Sequence, residues 1–130
     1  MDVAGLRSWV DAYERAWRAP GTDTLADLFH EEAVYLMSPL AEPVVGLDAI
    51  RRLWEDERSP DEEFTMTSEP IAVEGDTGVV RVDVRYHRPR ARRFVDLWIV
   101  SFAPDGRCRR FEEWFWDDVE AGLAGADPAG

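Results

Sequence analysis

The sequence predicts an α+β domain in which three N-terminal helices cover a curved, mostly antiparallel sheet. Apolar residues recur at three- and four-residue steps in the first half of the chain and at two-residue steps in the second. Clusters of Gly, Pro, Asp and Ser break the chain at intervals suited to helices first and strands afterwards. Helices followed by a run of strands, rather than alternating with them, indicate a segregated arrangement. The 130 residues suggest one domain, expected over residues 1–118, with residues 119–130, rich in Ala, Gly and Pro, as a flexible tail.

Each element follows from its own pattern. Val3, Leu6, Val10, Tyr13 and Trp17 share one helical face, and Pro20-Gly21 ends that helix. Asp23 is suited to cap a short helix carrying Leu25, Leu28 and Phe29, with His30 at its end. Ala33 to Ser38 reads as a short strand closed by Pro39. After a turn at 43–46, Ile50, Leu53 and Trp54 form the apolar stripe of a third helix, stopped by Ser59-Pro60. Strands are then expected over Phe64–Glu74, Val79–His87, Phe94–Phe102 and Arg107–Trp116. Pro70 marks the first of these as an edge or bulged strand, and Pro104-Asp105-Gly106 forms a hairpin turn.

Composition removes several chemistries. A formal charge of −12 repels phosphate backbones and anionic membrane surfaces, so no nucleic-acid or membrane partner is expected. No stretch of about 18 apolar residues appears. The start of the chain has no basic-then-apolar leader pattern, and Cys108 is the single cysteine; a cytoplasmic location is expected. The sequence contains no Lys, Asn or Gln, which excludes a lysine Schiff base and any side-chain amide that positions water. With only His30 and His87 and no paired metal-ligand spacing, no metal or other cofactor is expected.

Four features are candidates for chemistry. Asp96 interrupts Phe94-Val95-Asp96-Leu97-Trp98-Ile99-Val100, a strand apolar on both faces. A carboxylate buried there is destabilised by roughly several kcal/mol unless it is paired or protonated. It forms an ion pair with a neighbouring Arg, sits near a sheet edge, or faces a cavity with a displaced pKa. Arg81, Asp83 and Arg85 alternate with Val80, Val82 and Val84. Either the charged side is solvated and the valines are core, or the charged side faces a pocket and the valines meet a partner subunit. Of Glu112 and Glu113, adjacent on a strand, one must point inward unless both reach water at a strand end. Tyr35 either donates its phenol to a ligand or buries its ring. Six Trp fit a small core around an aromatic-lined hollow, for which Trp17, Met37, Trp54, Trp98, Phe111 and Asp96 are candidate lining residues. Cys108 reads as a small core hydrophobe.

Leu28-Phe29-His30-Glu31-Glu32-Ala33-Val34-Tyr35, Gly46-Leu47-Asp48-Ala49-Ile50, Asp105-Gly106-Arg107-Cys108 and Phe111-Glu112-Glu113-Trp114 occur in this order. Together they resemble the landmarks of SnoaL-like (nuclear transport factor 2-like) domains. The resemblance implies a cone-shaped, cystatin-like α+β roll, often dimeric through the outer sheet face. It implies a pocket used by polyketide cyclases, isomerases, dehydratases and epoxide hydrolases, or by non-catalytic binding and protein-interaction modules. The branch typified by limonene epoxide hydrolase is resembled in part by Tyr35-Leu36-Met37-Ser38-Pro39, Arg81-Val82-Asp83 and Glu113. Met37 stands where that branch has Asn. That resemblance implies Asp83 as general acid, Arg81 as a bridge between two acids, Glu113 as base and Tyr35 as a ligand of the attacking water. The expectation is therefore a homodimeric, cofactor-independent acid–base hydrolase, isomerase or cyclase acting on a small apolar organic molecule. The alternative is a binding module of the same fold.

Overall fold

The computed structural model describes residues 1–118, so the expected C-terminal tail lies outside the described residues. Helix α1 (Val3–Arg18) starts where Asp2 accepts a hydrogen bond from the Gly5 N–H at 2.8 Å. Its buried face is Leu6, Trp9, Val10, Tyr13 and Ala16, while Val3, first of the expected stripe, is exposed at the start of the helix. Helix α2 is one turn, Leu25–Leu28. Strand β1 (Phe29–Leu36) follows directly, so Phe29 and His30 belong to the strand rather than to the helix. The His30 Nδ1 accepts from the Glu32 N–H.

The turn expected at 43–46 contains a two-residue strand, β2 (Val44–Val45), paired with Val34 and Tyr35. Helix α3 (Leu47–Glu57) buries Ile50 and Trp54. Strands β3 (Glu63–Glu74), β4 (Thr77–Arg88), β5 (Arg92–Phe102) and β6 (Cys108–Asp117) form an antiparallel meander. The sheet order is β2-β1-β6-β5-β4-β3, with β1 and β6 parallel. β3 is thus an edge strand, and its register shifts between Pro70 and Ala72, where Pro cannot donate to the ladder.

All three helices lie on one face of the sheet. Leu6, Val10, Ile50 and Trp54 meet Phe29, Val80, Val82, Val100 and Phe111, all of them at most 2 % exposed. Each such side chain contributes about 1.5–3 kcal/mol through burial. α1 crosses β4 so closely that a Cβ on Gly78 would sit 2.7 Å from Leu6 Cδ2. Gly106 turns β5 into β6 at φ 89°. Cys108 is fully buried, and burial pushes its thiol up to about 12.

Arg58, just after α3, holds the end of α1. Its guanidinium donates to the carbonyls of Ala16, Ala19 and Gly21 at 3.3, 2.8 and 2.7 Å, which satisfies acceptors that a helix end leaves unpaired. Arg58→Ala should therefore lower stability by about 1–2 kcal/mol. Urea denaturation would register this as a lower midpoint with an unchanged slope; an unchanged midpoint would show that water replaces the guanidinium at no cost.

Candidate functional site

The sheet curls away from the C-terminal ends of α1 and α3 and leaves a cavity of about 240 Å³. Part-exposed Trp17, Leu53 and Phe64, with exposed Glu57, line its outer part. Tyr13, Tyr35, Trp54, Asp96 and Trp98, all at most 7 % exposed, line its inner wall. Trp17 is fixed by its indole N–H, which donates to Glu62 Oε1 at 2.6 Å. Tyr86, Phe94 and Phe115 complete an aromatic enclosure.

Alternation along β5 decides where Asp96 points. Phe94, Asp96, Trp98 and Val100 face the helices, whereas Val95, Leu97 and Ile99 face outward and are only part-buried. On β6 the inward set is Phe111, Glu113 and Phe115. Trp98 pairs with Glu113, and Asp96 pairs with Phe115, so Asp96 and Glu113 are diagonal neighbours on the concave face. Glu112, the other member of the Glu pair, turns outward and accepts from Trp114 Nε1 at 2.7 Å and from Arg110 at 3.4 Å.

The two inward carboxyls have no guanidinium partner among the described residues. Asp96 Oδ2 accepts from Trp98 Nε1 at 3.2 Å, and Oδ1 is buried and receives no N–H or hydroxyl donor. Burial pushes Asp96 up to about 6; the Trp98 N–H and a proton on Glu113 oppose the rise, and the Asp83 charge adds to it. Glu113 is held well above the ordinary glutamate range, first by burial and then by the charge of Asp96 and its hydrogen bond to it, with Glu57 adding to the effect. Two interacting carboxyls in one cavity retain a proton between them and titrate as a pair.

Beside the pair stand two phenols. The Tyr13 and Tyr35 hydroxyls lie 3.0 Å apart. Two hydroxyls joined by one hydrogen bond use one of their two protons, so the other remains available to a ligand. Burial pushes both phenols above their usual range, with the neighbouring phenol next for Tyr13 and Glu113 next for Tyr35. Both are neutral donors at any ordinary pH. Such a set can take a proton from a ligand, return one, and hydrogen-bond a ligand oxygen. Among the described residues no group of three His, Cys, Asp or Glu side chains is placed to hold a metal ion.

Of the sequence candidates, Glu113, Tyr35 and Asp96 reach this cavity, as do Trp17, Met37, Trp54 and Trp98. Three others do not. Phe111 is fully buried behind the wall, stacked on Tyr35 at 4.7 Å and against Trp9 of α1 at 6.1 Å. Arg81 and Asp83 lie on the opposite face of the sheet, because Val80, Val82 and Val84 fill the core. Turning that strand over would put two guanidiniums into the interior and three valines into water. Asp83 instead receives two hydrogen bonds from Arg93, at 2.7 and 3.1 Å, which hold its pKa below the usual carboxylate range. The resembled Arg-x-Asp pattern therefore lies outside. The inward carboxyl is Asp96, two residues after Phe94, and among the described residues no Arg bridges it to Glu113.

Sequence reasoning missed Tyr13, Glu57, Phe64, Tyr86, Phe94 and Phe115. Tyr13 carried a usable signal, since it lies on the apolar stripe of α1, one turn before Trp17.

The profile of the family described as SnoaL-like domain matches residues 10–123. No curated protein matches the chain. Among solved structures, a provisionally assigned polyketide cyclase of Sinorhizobium meliloti is 26% identical, with a TM-score of 0.62, over 82% of this chain and 94% of its own. A provisionally assigned ketosteroid isomerase of Kribbella flavida is 23% identical, with a TM-score of 0.64, over 87% of this chain and 76% of its own. An LEH-like epoxide hydrolase of M. tuberculosis is 16% identical, with a TM-score of 0.70, over 87% of this chain and 84% of its own.

Proposed function

The chain belongs to the SnoaL-like domain family, and from that premise we propose that it is a cofactor-independent acid–base enzyme acting on a small, mostly apolar organic molecule. Family and fold leave the reaction open. The observation that carries the reading is the Asp96–Glu113 pair, two carboxyls raised by burial and left without a cation in an aromatic cavity. One carboxylate accepts a proton while its protonated partner or a neutral phenol donates to oxygen.

This combination favours proton transfer at a carbon beside a carbonyl, as in isomerisation or cyclisation, over hydrolysis. The carboxylate takes the carbon-bound proton, and its electron pair moves toward the carbonyl oxygen. Tyr13 or Tyr35 hydrogen-bonds that oxygen as charge builds, and the same carboxyl returns the proton at a second carbon. Hydrolysis is less favoured because Met37 stands where the epoxide-hydrolase branch has Asn, and the chain contains no side-chain amide to help hold the attacking water.

The test is hydrogen–deuterium exchange beside the carbonyl of small cyclic ketones and enones, followed by proton NMR with and without protein. Accelerated exchange that Asp96→Asn and Glu113→Gln both reduce supports the reading. Exchange at the buffer rate across the panel would reduce the chain to a binding module.

The outer sheet face suits a second copy of the chain. Leu97 lies beside Trp114, and Val95 beside Trp116, with the two Trp 38% and 54% exposed. Arg81, Arg85, Asp83 and Glu112 bring both charge signs to this face, which suits a self-complementary interface. We therefore expect a dimer by analytical ultracentrifugation, dissociated by Leu97→Arg. A wild-type monomer at micromolar concentration would rule the dimer out.

A further inference from the structure

The cavity carries one sign of charge. Among the described residues its ionisable lining consists of the carboxyls of Glu57, Asp96 and Glu113 and the phenols of Tyr13, Tyr35 and Tyr86, with no Arg or His. The guanidiniums that sit over its lining rings are engaged elsewhere. Arg18 sits 4.0 Å from the Phe64 ring centroid and pairs with Glu14. Arg92 sits 5.3 Å from Phe94 and pairs with Asp117 at 2.9 Å. Arg58 is 5.8 Å from Trp17 and donates to the carbonyls that end α1. A carboxylate or phosphate ligand would enter against three acids with no counter-charge.

A cation meets the opposite situation. Asp96 Oδ1 faces an interior that supplies it no N–H or hydroxyl donor, on a residue 5 % exposed. Trp17, Trp54 and Trp98 line the same cavity, and indole faces attract cations more strongly than other rings do. A protonated nitrogen would add a donor to the one proton shared with Glu113 and supply the counter-charge that the cavity lacks, while the remaining apolar lining covers a hydrocarbon skeleton.

We propose that the natural ligand is a mostly apolar molecule bearing a basic nitrogen, whose ammonium is held by Asp96 within the aromatic cavity. The proposal rests on the cavity being the substrate site, as in the acid–base reading, and it divides the labour of the pair. Asp96 holds the ammonium, and Glu113 is left free to move a proton.

The experiment uses phenethylamine, phenethyl alcohol and phenylacetate, which share a skeleton and differ in head group, titrated into the wild-type protein by tryptophan fluorescence and calorimetry. The amine should bind roughly ten-fold or more tightly than the alcohol, with phenylacetate weakest. Asp96→Asn should erase the advantage of amine over alcohol, and residual alcohol binding reports that the cavity is intact. An alcohol that binds as tightly as the amine, an amine that does not bind, or an advantage that survives Asp96→Asn would overturn the proposal. The deuterium-exchange assay separates the two readings. Amine preference without accelerated exchange leaves an amine-binding site and removes the enzyme; accelerated exchange without amine preference removes only this inference.

Discussion

Glu113→Gln should lower turnover roughly a hundred- to ten-thousand-fold, the range associated with loss of a general acid–base group. Gln keeps the length and shape of the side chain and still fits the cavity wall beside Trp98, its register partner. It removes the carboxyl that holds the last proton of the pair, and Gln can neither give up that proton nor take it back. Asp96, the ionised member of the pair, cannot take over that part, because it reaches the cavity from a different strand and accepts from the Trp98 indole. The wild-type rate should rise with pH through the region near 6 set by Asp96, as the pair passes from two protons to one. It should fall again at higher pH, where Glu113, held well above the ordinary range, gives up the last proton. Deuterium exchange measured across pH gives both limbs. A Glu113→Gln protein that keeps more than about a tenth of the rate, or a flat wild-type profile, would contradict the role assigned to Glu113.

Asp96→Asn should stabilise the protein at neutral pH. A carboxyl whose pKa is raised on folding binds its proton more tightly in the folded chain than in the unfolded one. Its contribution is most favourable below the unfolded value near 4 and is lost as pH rises through the folded value of about 6. A rise of about two pKa units corresponds to about 3 kcal/mol against folding at neutral pH, shared with Glu113 because the two titrate together. Asn removes that penalty, still accepts from the Trp98 indole, and can donate to Glu113. Urea denaturation should give a wild-type stability that declines from pH 4 to pH 8 relative to the variant, with the variant ahead by about 1–3 kcal/mol at the upper end. Comparing the two proteins cancels the opposite trend from Asp83, whose pKa is lowered by Arg93. A variant less stable than wild type at neutral pH would mean that Asp96 is ionised and satisfied in the fold. This gain, set against the expected loss of activity, is the pattern of a carboxyl retained for chemistry at the expense of stability.

The fold was legible because its signals are local. Valines at 80, 82 and 84 and the Phe94–Phe102 run announce strands whatever their partners, and the α1 stripe announces which face is covered. β2, the start of β1 and the cap of α2, which is Thr24 rather than Asp23, escaped, since two residues and a one-turn helix give periodicity too little length to act on. The site was half legible. Asp96 stood out as a carboxyl in an apolar strand; strand geometry required only that one of Glu112 and Glu113 turn inward, and the family resemblance pointed to Glu113. Their proximity was not readable, because it depends on the β5–β6 register. Arg81 and Asp83 misled for the opposite reason. A three-residue pattern resembling a family motif was set against the alternation of three valines, and hydrophobic burial decides that contest. Glu57, Tyr86 and Phe115 reach the cavity from separate elements, and nothing local marks them.

The proposed chemistry depends on one proton held between Asp96 and Glu113 in the aromatic cavity. Carboxyl-carbon NMR of the wild-type protein, with the two signals assigned through Asp96→Asn and Glu113→Gln, follows that proton directly as pH is raised. A shared proton gives two separated steps, the first near 6 and the second well above the ordinary glutamate range, with each variant collapsing them to one. Two independent titrations near the ordinary carboxylate value of about 4 would contradict it.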